Sequence, residues 1–507
     1  MTEPCATQDN HTISAPEGAD KDALRAWLDT PPSANAAYEL SLLQIHLGTI
    51  QSLREKAAEH AALLDRLYSR AILVIPRLIP GLIGVPLPIH RKPLQTVRSI
   101  HKLLDDIVEE LSISIDHATR QTETRPPVPA RQLLWRQIFA LSQHLFISYL
   151  TASPAKRGIW LRLHHSFSRA HNLGGEVSCP TQGREQNLQS LYLSTILLGC
   201  AQPATFNSYE IDFVAACLRS FSYDIESINL IGLKTEATFW IDPERDEPAV
   251  ACSRKPPPTK SMVFSFSCNK LVSLIKFKLS TLESGKLTQK PTLPAFAETP
   301  AGLGVLRRLI KYWGHPAKRR FPRRNQSYRV TLCSGLETLW HLFRDGSTKS
   351  VETSNWMVVN ESPDGYALMH VSGTTGTLSV GDIVAIKTDS GESWQTSIVR
   401  WAISENQEHF EIGLQLLATH AMAAQLILPR KNGQMKPSPV LLLPQVPVLR
   451  PDEFLVVPSG TLENQDETFV LLVEKENLSI REIRSVHINE QNSRIEVFSF
   501  RPETLQV

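Results

Sequence analysis

Residues 354–371 have the sequence SNWMVVNESPDGYALMHV, in which two largely apolar stretches flank the polar segment NESPDG at 360–365. Alternating apolar and polar side chains are typical of half-buried β-strands, and Pro, Asp and Gly are typical turn residues. The pattern therefore predicts two antiparallel strands joined by a tight turn.

The neighbouring segments extend this pattern in both directions. Strand-like runs occur in YRVTLCSGLETLWHLF (328–343), GDIVAIKTD (381–389), WQTSIVRWAIS (394–404) and HFEIGLQLL (409–417). Short strands in close succession without intervening helices indicate an antiparallel barrel or sandwich. Further strand-like runs between 440 and 502 predict either a second β-module or an extension of the first.

A basic segment precedes the first of these strands. No acidic residue lies between Glu298 and Glu337, whereas nine basic residues do, and four arginines lie in KRRFPRR at 318–324. Pro322 disfavours a regular helix there and predicts an extended or turning loop between the preceding helix and the first barrel strand. Arg suits phosphate because its planar fork donates two parallel hydrogen bonds. Taken alone, however, such a run is more often a solvated linker or a nonspecific nucleic-acid patch.

The arginine run and the NESPDG turn, taken together, resemble the PilZ domain, a six-stranded β-barrel that binds the bacterial second messenger cyclic di-GMP. The family pattern is RxxxR followed, some strands later, by [D/N]xSxxG. Further similarities occur at 380–382, 399–401 and 411–414, and the resemblance spans roughly residues 318–430. The residues that match the two motifs, and that the resemblance implies as ligand-binding, are Arg319, Arg320, Arg323, Arg324, Asn360, Ser362 and Gly365.

Two departures from the family pattern leave alternatives open. The arginine motif is doubled, so either Arg319 with Arg323 or Arg320 with Arg324 has the expected spacing. The segment between Arg323 and Asn360 is also long, and it contains either a long hairpin or a strand followed by a short helix.

The resemblance implies a receptor and not an enzyme. In PilZ domains the arginine loop is mobile without ligand and wraps the nucleotide, while the Asn and Ser of the turn hold a base edge and a phosphate. Ordering the loop would here fix the orientation of the N-terminal half relative to the barrel and so regulate a protein partner. The alternative is a structural or scaffolding protein whose PilZ-like barrel no longer binds nucleotide.

Other function classes lack their sequence signatures. The chain has no phosphate-binding loop, HExxH, paired CxxC, GxSxG or GxGxxG motif, so we expect no catalytic residues, metal site or cofactor. The formal net charge is +2, from 53 Lys and Arg against 51 Asp and Glu, so no global field favours a specific nucleic-acid partner.

The first 225 residues predict an all-helical region. Apolar stripes at steps of three and four run through 36–68 and 97–115, and a third apolar helix covers 131–150. These stripes indicate either core packing or a surface for a protein partner. The apolar run 71–89 includes Arg77 and four prolines, so it predicts a kinked, buried connector and no transmembrane segment. Seven scattered cysteines suit the reducing cytoplasm.

The predicted fold class is a multi-domain α+β protein with an all-α N-terminal domain, a C-terminal antiparallel PilZ-like β-barrel and additional β-strands. The predicted domains are a disordered tail at 1–22, a helical domain at 23–225, a mixed α/β connector at 226–300, an amphipathic helix with the arginine loop at 301–325, the barrel at 326–430 and a β-rich extension at 431–507.

Overall fold

The computed structural model describes most of the chain. The described residues are 21–120, 129–173, 178–181, 184–221, 224–225, 237–259, 263–284, 293–316, 321–346, 351–389, 391, 393–428, 436–445, 452–462, 468–474 and 478–502. The predicted tail at 1–22 therefore lies outside this set except for its last two residues. The chain divides into two compact units, Met1–Pro80 with Arg98–Leu141, and Gly81–Val97 with Ser142–Val507.

Helices dominate the N-terminal part of the described chain, as the apolar stripes predict. They are α1 (Lys21–Asp29), α2 (Ala36–Gln51), α3 (Ala57–Leu78), α4 (Arg91–Arg120), α5 (Ala130–Leu150), α6 (Ile159–Asn172), α7 (Leu188–Cys200) and α8 (Ser208–Ser220). A short hairpin of β1 (Ser178–Thr181) and β2 (Arg184–Asn187) precedes α7. No helix in the described ranges is both long enough and apolar enough to span a membrane.

The apolar stripe at 36–68 predicts one long helix, but the structure has two, with a break at residues 52–56. Arg54 lies in this break and forms an ion pair with the buried carboxylate of Glu110 on α4. The other carboxylate oxygen of Glu110 lies 2.9 Å from Nε2 of His60, in the first turn of α3. These tertiary contacts act on both sides of the break and outweigh local helix propensity.

A three-stranded sheet and two helices connect the helical part to the barrels. The sheet consists of β3 (Thr238–Ile241), β4 (Val250–Ala251) and β5 (Phe264–Ser267), with β3 in the middle. Helices α9 (Asn269–Glu283) and α10 (Pro300–Gly314) follow. Thr299 caps α10 by accepting from the Gly302 amide, and Gly314 ends it, just before Pro316.

The first barrel is closed and antiparallel. Its strands are β6 (Arg324–Ser334), β7 (Ser354–Ser362), β8 (Gly365–Gly373), β9 (Ile383–Thr388), β10 (Gln395–Ser404) and β11 (Phe410–Ala418), paired in the order β10-β11-β8-β7-β6-β9. Helix α11 (Leu336–Asp345) lies between β6 and β7, so the long segment before Asn360 contains a strand plus a short helix. Trp356, Leu368, Phe410 and Ile412 are among the side chains that fill the interior.

The second barrel is also closed, which makes the C-terminal strands a second β-module. Its strands are β12 (Met422–Leu428), β13 (Lys436–Leu443), β14 (Phe454–Pro458), β15 (Thr468–Glu474), β16 (Leu478–Gln491) and β17 (Ile495–Pro502), paired in the order β12-β13-β14-β17-β16-β15. Adding six to each strand number of the first barrel reproduces every pairing of the second. The two barrels therefore have the same topology.

Only the three residues Thr419–Ala421 connect the two barrels along the chain. An apolar cluster also joins them, with α11 contributing Leu339, Trp340 and Leu342. The indole Nε1 of Trp340 donates to the carbonyl of Ala424 at 2.7 Å. Outward-facing Ile383 and Ile398 of the first barrel and Leu441 and Val497 of the second belong to the same cluster.

The predicted fold class is confirmed: a helical N-terminal region is followed by antiparallel barrels. The domain boundaries stay predictions. The first strand of the second barrel begins at Met422, inside the range 326–430 that the sequence predicts for the first barrel.

Candidate functional site

The NESPDG segment forms the tight turn between β7 and β8. Ser362 and Gly365 are register partners, so only Pro363 and Asp364 lie between the strands. The hydroxyl of Ser362 donates to the Asp364 carboxylate at 2.8 Å, and it also lies 3.3 Å from the Gly365 carbonyl. The serine and aspartate therefore fix the shape of the turn while Pro363 stays exposed.

Gly365 is required because two strands come close together at this point. A Cβ atom on Gly365 would overlap the carbonyl oxygen of Leu414 on β11. Its register partner on that strand is Gln415. The glycine of the motif thus allows β8 to pair with β11 immediately after the turn.

The carboxyl end of the arginine segment lies beside this turn. Strand β6 begins at Arg324, whose register partner is Glu361, and Asn325 is the partner of Asn360. Arg323 directly precedes the strand and is exposed. The structure thus brings Arg323 and Arg324 next to the NESPDG turn, whereas Arg319 and Arg320 lie outside the described residues.

Asn360 is on the outer face of the barrel, because its register partner Ala367 lies between the core-facing Tyr366 and Leu368. The Oδ1 atom of Asn360 is buried and has no hydrogen-bond partner within the described part of the chain. An unsatisfied buried polar atom is costly in a folded protein and is often explained by a function. This side chain is therefore suited to binding a ligand.

Glu361 is a charged residue of the site, at a position that the [D/N]xSxxG motif does not specify. Its carboxylate accepts from the hydroxyl of Tyr328 at 2.7 Å and from Nε2 of Gln326 at 2.9 Å. Burial, and then the hydrogen bond to Glu361, raise the pKa of Tyr328 above its ordinary value. Strand alternation alone could have placed Glu361 on the face opposite to Asn360, but not its partners.

The outer face continues from β8 across β11 to β10. The indole of Trp401 lies against Gly413, where a Cβ would overlap it. Arg400 donates from Nε to Oε1 of Gln415 at 2.6 Å, and Gln415 is the register partner of Gly365. From the sequence, Arg400 and Trp401 are recognised only as further similarities to the PilZ family. Nothing in the sequence indicates that they adjoin the turn.

Helix α10 positions the other end of the arginine segment. Within the larger compact unit, Arg308 of α10 forms an ion pair with the buried Glu210 of α8, and its Nη1 donates to the Thr205 carbonyl at 2.8 Å. Nε1 of Trp313 donates to the Leu197 carbonyl of α7 at 3.1 Å. The segment from Pro316 to Arg324 therefore links a helix held by α7 and α8 to the first barrel.

Comparison with known proteins assigns most of the chain. Residues 22–228 match the family described as "Cyclic-di-GMP receptor FimW, N-terminal domain", and residues 238–349 and 343–423 match "Cyclic-di-GMP receptor FimW, middle PilZ domain". The protein named cyclic-di-GMP receptor FimW from Pseudomonas aeruginosa is 22% identical over 539 residues, covering 90% of this chain and 86% of that protein. No solved structure gives a significant match.

The match to the middle PilZ domain overlaps the first barrel from β6 to β11 and includes both the arginine segment and the NESPDG turn. The resemblance inferred from those two motifs is thereby confirmed, and the C-terminal half of this chain contains a PilZ domain of the FimW type.

Proposed function

We propose that this chain is a receptor for cyclic di-GMP. The observation that supports it best is the register between β6 and β7, which sets Arg324 opposite Glu361 and Asn325 opposite Asn360. The carboxyl end of the arginine segment thus adjoins the strand pair that contains Asn360 and its unsatisfied amide oxygen. The name of the Pseudomonas aeruginosa relative is consistent with this function.

The residues of the two motifs have distinct roles in this proposal. Arg319, Arg320, Arg323 and Arg324 bind the phosphates and stack on the guanine bases, because guanidinium groups are planar and doubly donating. Asn360 and Ser362 bind a base edge and a phosphate. Gly365 keeps the turn against β11.

Ligand binding would act on the helical region through the arginine segment. One end of that segment follows α10, which Arg308 and Trp313 attach to α8 and α7. The other end is β6 of the barrel. Ordering the segment around a nucleotide would restrict the orientation of the helices relative to the barrel, as in other switches based on an order–disorder transition.

Such a reorientation has to act on existing contacts between the helical part and the barrel. The Ser404 amide at the end of β10 donates to the Ala152 carbonyl at 2.8 Å, and the Ile89 amide donates to the Ser404 hydroxyl at 3.1 Å. We expect these contacts to form the pivot. The regulated partner would be a protein that binds the helical region.

Isothermal titration of the full chain with cyclic di-GMP tests the receptor function. Changing Arg319, Arg320, Arg323 and Arg324 together to Ala should weaken binding by about a hundredfold or more, because several charge-assisted hydrogen bonds are lost. The melting temperature of the ligand-free variant should stay close to that of the unmodified chain. Arg481→Ala, which removes an arginine of the second barrel bonded to Glu453, is the matched control.

Two outcomes would contradict the proposal. Absence of binding by the unmodified chain at tens of micromolar nucleotide would favour the alternative, a scaffolding protein whose barrel no longer binds the ligand. A large loss of ligand-free stability in the four-arginine variant would instead mean that these side chains have a structural role.

A further inference from the structure

Arg400 is a cation beside the candidate site that belongs to neither motif. It is the extra residue of a bulge in β10, where the register shifts between Val399 and Trp401. Strands β8, β11 and β10 are neighbours, so two strand spacings of about 4.8 Å separate the strand that follows the turn from Arg400. Its bond to Gln415, the partner of Gly365, directs the guanidinium along the outer face.

The second barrel supplies a competing anion at this position. Nη1 of Arg400 forms an ion pair with the carboxylate of Glu490 on β16. The Arg400 side chain is 35% exposed and that of Glu490 is 16% exposed, so the pair lies at the edge of the contact between the barrels. A guanidinium at such an edge is accessible to a ligand.

Glu490 has a second positive neighbour. Burial lowers the pKa of Arg308 on α10, but the charges of Glu210 and Glu490 raise it more, so that it lies above its ordinary value. The Glu490 carboxylate therefore acts on both Arg308 and Arg400. Because Arg308 remains nearby, loss of Arg400 would not leave Glu490 as an uncompensated charge.

We propose that Arg400 is an additional phosphate contact of the nucleotide site and that Glu490 of the second barrel competes with the phosphate for it. The proposal rests on the function proposed above. Carboxylate and phosphate both accept parallel hydrogen bonds from a guanidinium. A phosphate can therefore replace the Glu490 carboxylate with the same hydrogen-bond arrangement at Arg400. By linkage, nucleotide binding weakens the Arg400–Glu490 pair as much as the pair weakens nucleotide binding.

The exchange would be transmitted to α10. Gln491 follows Glu490 in the chain, and its Oε1 accepts from Nη1 of Arg307 on α10 at 2.6 Å. Gly304 of α10 packs so closely on the Gln491 carbonyl that a Cβ would overlap it. Release of Glu490 would therefore alter the segment that holds the helix preceding the arginine loop. The second barrel would thus respond to ligand bound on the first.

Titration of the full chain with cyclic di-GMP at one fixed salt concentration tests the exchange. Arg400→Gln should weaken binding about tenfold, and Glu490→Gln should strengthen it about threefold, because charge-assisted bonds are about twice as strong as neutral ones. The double variant should bind like Arg400→Gln alone. Glu453→Gln, which removes a carboxylate paired with Arg481 in the same barrel, should bind like the unmodified chain.

These affinities test the exchange between Glu490 and phosphate separately from the receptor function. Unchanged or weaker binding by Glu490→Gln, or unchanged binding by Arg400→Gln, overturns the exchange while the receptor function stands. No binding by the unmodified chain overturns both. Hydrogen–deuterium exchange gives an independent readout on the unmodified chain: residues 487–494 should exchange faster with nucleotide bound, and unchanged or slower exchange there would also overturn the proposal.

Discussion

Strand β8 of the first barrel and strand β14 of the second have the same place in the same pairing order, yet what precedes them differs. Strand β8 follows the two-residue turn Pro363–Asp364, whereas ten residues, 444–453, separate β13 from β14. The segment before β6 includes the arginines, whereas the segment before β12 is Thr419–Ala421, without any. The same topology thus occurs with an arginine segment and a tight turn in the first barrel, and without either in the second.

The two barrels also differ in how well their buried polar atoms are satisfied. In the first barrel, Oδ1 of Asn360 and the hydroxyls of Thr396 and Ser397 are buried without hydrogen-bond partners among the described residues. The described strands of the second barrel contain no such side-chain atom. Unsatisfied buried polar groups call for an explanation, and the function proposed for the first barrel offers one for Asn360.

The largest effect should come from Gly365, the position at which the first barrel has no room for a side chain. Gly365→Ala should destabilise the chain by about 3 kcal/mol, because the new Cβ overlaps the Leu414 carbonyl oxygen. Urea unfolding measures the change. Gly48→Ala in α2, where a Cβ meets nothing within 4 Å, should be neutral or slightly stabilising. Equal stability of the two variants would contradict the close approach.

The stability of the fold should depend on pH through Asp382, which directly precedes β9 and pairs with Arg494 of the second barrel at 3.2 Å. Burial raises its pKa to about 6 despite the Arg494 charge and the Ser379 amide. The native state then holds a proton that the unfolded state has lost between about pH 4 and 6, so this residue stabilises the fold at low pH and the stabilisation disappears as pH rises through 6.

Substitution isolates this contribution. Relative to Asp382→Asn, the unmodified chain should lose up to about 3 kcal/mol of unfolding free energy from pH 4 to pH 7, the equivalent of a shift of about two pKa units. Urea titrations of both proteins at several pH values measure the difference. Parallel pH profiles would show that Asp382 does not titrate as its burial implies.

Asn360 should separate ligand binding from stability. Asn360→Ala removes an unsatisfied buried oxygen, so the ligand-free chain should be as stable as before or more stable by about 1 kcal/mol, while affinity for cyclic di-GMP falls about tenfold. Asn355→Ala on the same strand, which loses a bond to Ser372, is the matched control and should leave affinity unchanged. If Asn360→Ala is destabilised and keeps its full affinity, Asn360 has a structural role and does not bind the ligand.

The smallest effect should come from two serine hydroxyls, one in each barrel, that differ in whether they have a hydrogen-bond partner. Ser397→Ala in the first barrel should raise the unfolding free energy by up to about 1 kcal/mol, because its hydroxyl is buried without a partner among the described residues. Ser459→Ala in the second barrel should lower it by about as much, since that hydroxyl donates to the Asn492 carbonyl at 2.6 Å. Thermal melts measure the change in stability of each variant. Changes of the same sign in both variants would contradict the difference between the barrels in how well buried polar atoms are satisfied.

Much of the fold could be predicted because its signals are local. Alternation at 354–371, the turn residues of NESPDG and the apolar stripes at 97–115 and 131–150 depend on residues close in sequence. The recognition of the PilZ domain needed only two short motifs. The break at 52–56 was missed because its cause, the buried Glu110, lies more than fifty residues away.

The closure of the second barrel and the surroundings of the site depend on contacts distant in sequence. Runs such as TFVLLVEK predict a strand but not that β15 closes on β12. Nothing local indicates that Glu361 bonds Tyr328 or that Arg400 meets Glu490 across ninety residues. Site residues within a motif were therefore foreseeable, whereas those added by neighbouring strands were not.

The apolar cluster around α11 has a consequence for how such a chain can evolve. Without the second barrel, Ile383 and Ile398 of the first, together with Trp340, would face water and favour aggregation. Recombination that separated the two barrels would therefore be selected against, even though each is closed. The second barrel therefore needs no ligand of its own to be retained, because covering the apolar face of its neighbour is a sufficient role.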